Sequence, residues 1–172
     1  MKCPGRGTGW EAPASGQTRK DGRLTIMTAD KPCDGVLFRQ VIHVPQSAID
    51  QNGHVNNVEY VRWMQEVAIR HSEATGGSAA MRSVGCTWVV RAHRVEYLSP
   101  AFAGDCLEAI TWVATVERVR SLRRYRFIRK SDGKLLAQGE TDWVFVNART
   151  GKPCAIPETV RACFQIGKQA EP

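Results

Sequence analysis

Between Asn56 and Gly77 the side chains of Val58, Tyr60, Val61, Trp63, Met64, Val67, Ala68, His71 and Ala74 recur with a helical period. The stripe they form is broader than the roughly 100° face a helix needs to rest on a surface. Such a helix has to be wrapped by something concave, and this requirement limits the possible folds more than any other stretch does. Asn56 suits the N-cap, Glu59 three residues on stands in a capping-box-like position, and Gly76-Gly77 is placed to stop the helix near Thr75.

The rest of the chain supplies a wrapper. Leu37 to Val44 reads as a strand ending at Pro45, and four longer β-like runs follow: Val84 to Tyr97, Cys106 to Val119, Leu122 to Lys130 and Leu135 to Asn147. Turn residues at Ser99-Pro100 through Gly104-Asp105, a bend near Arg120-Ser121, and Asp132-Gly133 separate them, so an antiparallel meander is expected. Pro157 to Ile166 reads as a short C-terminal helix. The fold class is therefore α+β, with an antiparallel sheet around one long central helix. A chain of 172 residues suits one domain, which we place at 36–168. Residues 1–35, rich in Gly, Pro, Ser, Thr and Lys, read as a flexible leader, with Met27 a candidate start of the native protein.

Immediately ahead of the helix stand Asp50, Asn52 and His54, on alternate residues around Gly53. Packing gives no reason to gather a carboxylate, an amide and an imidazole where unpaired helix N–H groups already favour negative charge. The arrangement suits chemistry that develops an oxyanion. Asp50 has the chemistry of a nucleophile or general base, or of a turn aspartate accepting backbone N–H bonds. Asn52 suits orienting water or holding the carboxylate, and equally a loop position beside a left-handed turn. His54 is suited to bind a carbonyl or tune Asp50, or to a structural role. With Asn56 as cap, the backbone N–H groups of Asn57, Val58 and Glu59 lack intrahelical partners, and one of them is available to an oxyanion.

Several classes are disfavoured. No apolar run reaches the roughly 20 residues of a membrane span and no secretory signal is legible, so a cytoplasmic protein without membrane association is expected. Six scattered cysteines without a Cys-x-x-Cys pair read as reduced thiols, with no metal site. Of the net charge of +7, a local balance of +6 lies between Glu117 and Lys134, where eight basic residues face two acids. No nucleic-acid motif accompanies this run. It suits the phosphates of a small molecule, or else an outer strand whose charges protect an edge.

Asp50-x-Asn52-x-His54-Val55-Asn56-Asn57-x-x-Tyr60-x-x-Trp63 resembles the signature of acyl-acyl-carrier-protein thioesterases, and its Asp50-x-x-Gly53 frame is similar to the 4-hydroxybenzoyl-CoA thioesterase family. The resemblance implies a single hotdog fold and hydrolysis of acyl-CoA, or of acyl-carrier-protein thioesters, with no cofactor. It implies Asp50, Asn52 and His54 as catalytic residues and the N–H of Asn57 as the oxyanion donor. Gly53, Tyr60 and Trp63 would belong to the substrate pocket, although the two aromatics are equally good core residues. Arg123, Arg124, Arg129 and Lys130 become the candidates for CoA phosphates. Because the plant enzymes carry two hotdog units per chain and this chain one, a homodimer or a dimer of dimers is implied. One departure stands out: the further glutamate of the plant enzymes aligns with Pro100. Glu59 reads instead as a cap and Glu66 as a solvent-facing or site-edge residue. A hydratase or dehydratase acting on acyl thioesters, and a non-catalytic acyl-thioester-binding module, are the alternatives.

Overall fold

In the computed structural model residues 37–166 are described, so the leader expected at 1–35 and the candidate start at Met27 lie outside the described residues. Strand β1 (Phe38–His43) leads through a short 3-10 turn to helix α1 (Asn57–Ala74). Helix α2 (Gly77–Ser83) follows, then β2 (Cys86–Tyr97), β3 (Cys106–Val116), β4 (Arg120–Arg129), β5 (Leu135–Asn147) and helix α3 (Glu158–Arg161). The strands form one antiparallel sheet in the order β1-β3-β4-β5-β2.

Helix α1 turns Tyr60, Trp63, Met64, Val67, Ala68 and His71 onto the sheet, where they meet Phe38, Leu107, Tyr125, Phe127, Leu136 and Ala137. The ends of the expected stripe do not take part: Val58 is 68% exposed and Ala74 is exposed. Close approach of helix and sheet depends on Gly139 in β5. A Cβ there would lie 2.9 Å from the carbonyl oxygen of Arg94 and 3.1 Å from Met64 Sδ.

The structure corrects four local expectations. Gly76-Gly77 does end α1, with Gly76 in the left-handed region at φ 79°, but Gly77 at once begins α2. A side chain at Gly77 would meet the Phe164 ring at 2.4 Å, so packing favours glycine here while the left-handed turn rests on Gly76. The capping box is incomplete. Asn56 does cap α1, its side chain accepting from Val58 N–H at 3.0 Å, but its own N–H is taken by the Ala48 carbonyl and Glu59 pairs with Arg62. The bend expected near Arg120-Ser121 falls at 117–119, closed by Glu117 N–H donating to Arg120 O at 2.8 Å. Finally, α3 is a single turn, held by Arg161, which donates to the carbonyls of Val116 and Glu117 at 3.0 Å each.

Candidate functional site

Asp50, Asn52 and His54 are brought together by a tight turn. Asp50 N–H donates to the His54 carbonyl and Gly53 N–H to the Asp50 carbonyl, each at 3.0 Å, while Ile49 and Val55 bridge below them. Gly53, at φ 80°, supplies the left-handed backbone that lets so short a loop close. The Asp50 carboxylate accepts the Asn52 backbone N–H at 2.8 Å and its side-chain amide at 3.3 Å. His54 Nδ1 stands 4.0 Å from Asp50 Oδ1. Asp50 thus has the geometry of a turn aspartate, beside His54, in a carboxylate that is still partly open to solvent.

Two further bonds anchor this loop. Val55 N–H donates to Ala101 O and Asn56 N–H to Ala48 O, both at 2.9 Å, so the loop cannot swing away from the helix start. At that start, Val58 N–H is satisfied by the Asn56 side chain and Glu59 N–H by the Asn56 carbonyl at 2.9 Å. Among the described residues, Asn57 N–H has no protein acceptor. Tyr97, at the end of β2, donates its hydroxyl to the Asn57 carbonyl at 3.1 Å. Tyr97 was not singled out from sequence. Its position just before the Ser99-Pro100 bend was the available signal, but only strand pairing brings it to the helix.

The remaining expected residues separate. Tyr60 and Trp63 are each 3% exposed and pack with Phe127 and each other, ring centroids 5.2 Å apart for the pair and 5.3 Å for Tyr60–Phe127, which makes them core residues. Burial and then the nearby Asp105 carboxylate push the Tyr60 hydroxyl up to about 12, so it remains protonated. The basic run lies on β4, the middle strand, which overturns edge protection. It does not form one patch either, because successive residues point to opposite faces. Arg123 is 5% exposed and faces α1. Arg129 is tied to Asp132 at 2.9 Å and Asp105 at 3.4 Å, and the Asp132 bonds first of all raise its pKa. Arg124 stays outside, 3.8 Å from Glu140, and Lys130 is exposed in the following turn. Glu66 pairs with Arg62 on the helix surface.

No group of His, Cys, Asp and Glu among the described residues could hold a metal ion, and no helix there is long and apolar enough to cross a membrane. The four described cysteines are free.

An antiparallel five-stranded sheet packed on one long helix is the hotdog fold. A family model described as the thioesterase-like superfamily matches residues 44–164, and the chain belongs to that superfamily. It is a thioester hydrolase. The acyl-CoA thioester hydrolase YbgC of Escherichia coli is 30% identical over 132 residues, spanning 75% of this chain and 96% of its own. Oleoyl-acyl carrier protein thioesterase 1 of Arabidopsis thaliana is 23% identical over 147 residues, 81% of this chain, which spans only 40% of the plant enzyme. Among solved structures, a 1,4-dihydroxy-2-naphthoyl-CoA thioesterase from Synechocystis aligns with a TM-score of 0.67 at 18% identity, covering 74% of this chain and 94% of that one.

Proposed function

We propose that this hydrolase cleaves acyl-CoA at the turn beside the start of α1, with Asp50 as the attacking or water-activating carboxylate. The observation that carries the reading is an accessible Asp50 carboxylate in the turn that leads into α1, where the Asn57 N–H has no protein acceptor among the described residues. A thioester carbonyl lodged between them would develop its negative charge against that N–H and the positive end of α1. If Asp50 attacks, the tetrahedral adduct expels the CoA thiolate and leaves a mixed anhydride, which water then opens to the free acid and the restored carboxylate. If it acts as base, it takes the proton of the attacking water, and the same thiolate departs in one hydrolytic sequence. Asn52 holds the carboxylate in place, and His54 is near enough to assist it or the carbonyl.

The match to an acyl-CoA hydrolase over most of both chains supports CoA as the carrier, with acyl carrier protein as the alternative. Of the four residues expected to meet phosphates, Arg124 and Lys130 are exposed on the surface, and Arg123 and Arg129 leave that role. Exposed Val58, Tyr97, Leu98 and Phe102 gather around the turn, and β2 has a bare edge. Both features support a homodimer whose second copy covers the site.

Thiol release from a panel of acyl-CoAs tests the reading. Asp50→Asn keeps the size of the side chain and an acceptor for Asn52 N–H, so it should fold and lose at least roughly 100-fold in turnover. Near-normal turnover in the folded variant removes Asp50 from the chemistry.

A further inference from the structure

A cavity of about 330 Å³ lies between the second half of α1, α2, the sheet and the α3 segment, and none of the turn residues lines it. Its wall is mostly apolar, with Ala68, Ile69, Met81, Trp88, Val113 and Val116 among its members, and Arg123 is in it. Gln65 and Ser72, both at its edge, lie 8 and 15 residues beyond Asn57, which at ~1.5 Å per residue puts the cavity ~12 to 22 Å along the helix from the proposed hydrolytic site.

Arg123 has an unusual setting. It is 5% exposed, yet among the described residues no carboxylate stands within ion-pair distance of it. Its bonds all come from Nη1, to His71 Nδ1 at 2.7 Å and Thr111 Oγ1 at 3.3 Å, and the Phe164 ring lies 5.8 Å from its Cζ. A guanidinium can only donate, so His71 Nδ1 is the acceptor and its proton sits on Nε2. Both partners are therefore neutral. Nε and Nη2, the edge that matches a carboxylate in bidentate fashion, have no partner among the described residues. Withdrawing a guanidinium from water without a counter-charge is among the costliest placements in a protein.

We infer that this cavity is a second binding site, for an apolar molecule ending in a carboxylate, with Arg123 as the counter-ion at its floor. A single positive charge among apolar walls balances a monoanion. A phosphate dianion would be left with an uncompensated charge there, and an uncharged ligand would leave Arg123 unpaired. The carboxylate could belong to a free acid or to the far end of an acyl chain held by another copy's hydrolytic site. The cavity's volume is in the range of small-molecule sites. Two tryptophans, Trp88 and Trp143, line it and would report occupancy.

Decanoate and decanamide, titrated into the intact protein by calorimetry and followed by tryptophan fluorescence, test the site. Decanoate should bind at least tenfold more tightly than the amide. Arg123→Met should abolish that preference, and Arg123→Lys, which keeps the charge but loses the fork, should retain part of it. Val116→Trp, which narrows the cavity and leaves Arg123 alone, should weaken both ligands and guards against a misfolded Arg123 variant. Comparing decanoyl-CoA with the CoA monothioester of the ten-carbon dicarboxylic acid separates the sources. A tenfold drop in relative preference for the dicarboxylic thioester in Arg123→Met assigns the anion to an acyl chain, and an unchanged preference alongside lost decanoate binding assigns it to a free acid. Equal affinity for decanoate and decanamide in the wild type, or decanoate affinity equal in wild type and Arg123→Met, overturns the inference. The binding measurements do not depend on turnover, so an inactive hydrolytic site would leave them readable.

Discussion

His71 should make the stability of this protein depend on pH from about pH 6.5 downward, beginning above the range where carboxylates titrate. Its ring is 2% exposed, stacks on Phe38 with centroids 5.3 Å apart, and faces the Arg123 guanidinium. Burial first, and then the Arg123 charge, push its pKa down from 6.5 to about 3. The unfolded chain therefore takes up a proton below pH 6.5 that the native protein refuses until about pH 3. Stability from this group is complete above about pH 6.5 and is lost as the pH falls through that window. At pH 5 the lost share is on the order of 2 kcal/mol, taking ~1.4 kcal/mol for each pH unit below the unfolded value. Urea unfolding at pH 7.5 and pH 5.0, at one fixed protomer concentration, measures it. His71→Gln keeps an acceptor for Arg123 and removes the titration, so its stability should fall by about 2 kcal/mol less than that of the wild type over the same interval. His93, whose pKa burial also lowers, is common to both proteins and cancels in the comparison. Parallel pH dependence in the two would show that His71 does not resist protonation, and the neutral setting assigned to Arg123 would fall with it.

Three other outcomes are expected. Gly139→Ala should destabilise by about 1–2 kcal/mol in urea, against the usual preference of strands for Ala, because overpacking against the Arg94 carbonyl of β2 and Met64 of α1 outweighs the ~0.5–1 kcal/mol of chain entropy recovered; an unchanged or higher midpoint would refute the close packing around Gly139. Reversing Arg124 and Lys130 to Glu together should raise KM for acyl-CoA severalfold with kcat nearly constant, and should leave short thioesters lacking the nucleotide indifferent. Light scattering should find dimers at micromolar concentration, and Val89→Lys on the bare edge of β2 should weaken them; a fully active monomer would rule out a site covered by a second copy.

Local pattern sufficed where burial and chain direction follow from near neighbours. The apolar period marked α1 to within a residue of Asn57–Ala74, because 3.6-residue spacing is a property of the helix itself. Asp50, Asn52 and His54 were legible as a group because a five-residue turn closed at Gly53 brings them together without help from distant chain. Tertiary structure alone decided the rest. A run of arginines reads as a solvated surface, yet strand order placed it on the central strand, and the alternation of side chains along β4 turned Arg123 inward while leaving Arg124 outside. Tyr97 reached the helix start through pairing of β2 with β5 and packing over α1, contacts that join residues 40 apart in the chain. Which strand neighbours which, and which face of each meets the helix, follow from the summed burial of the whole sheet, and no single stretch of sequence carries that sum.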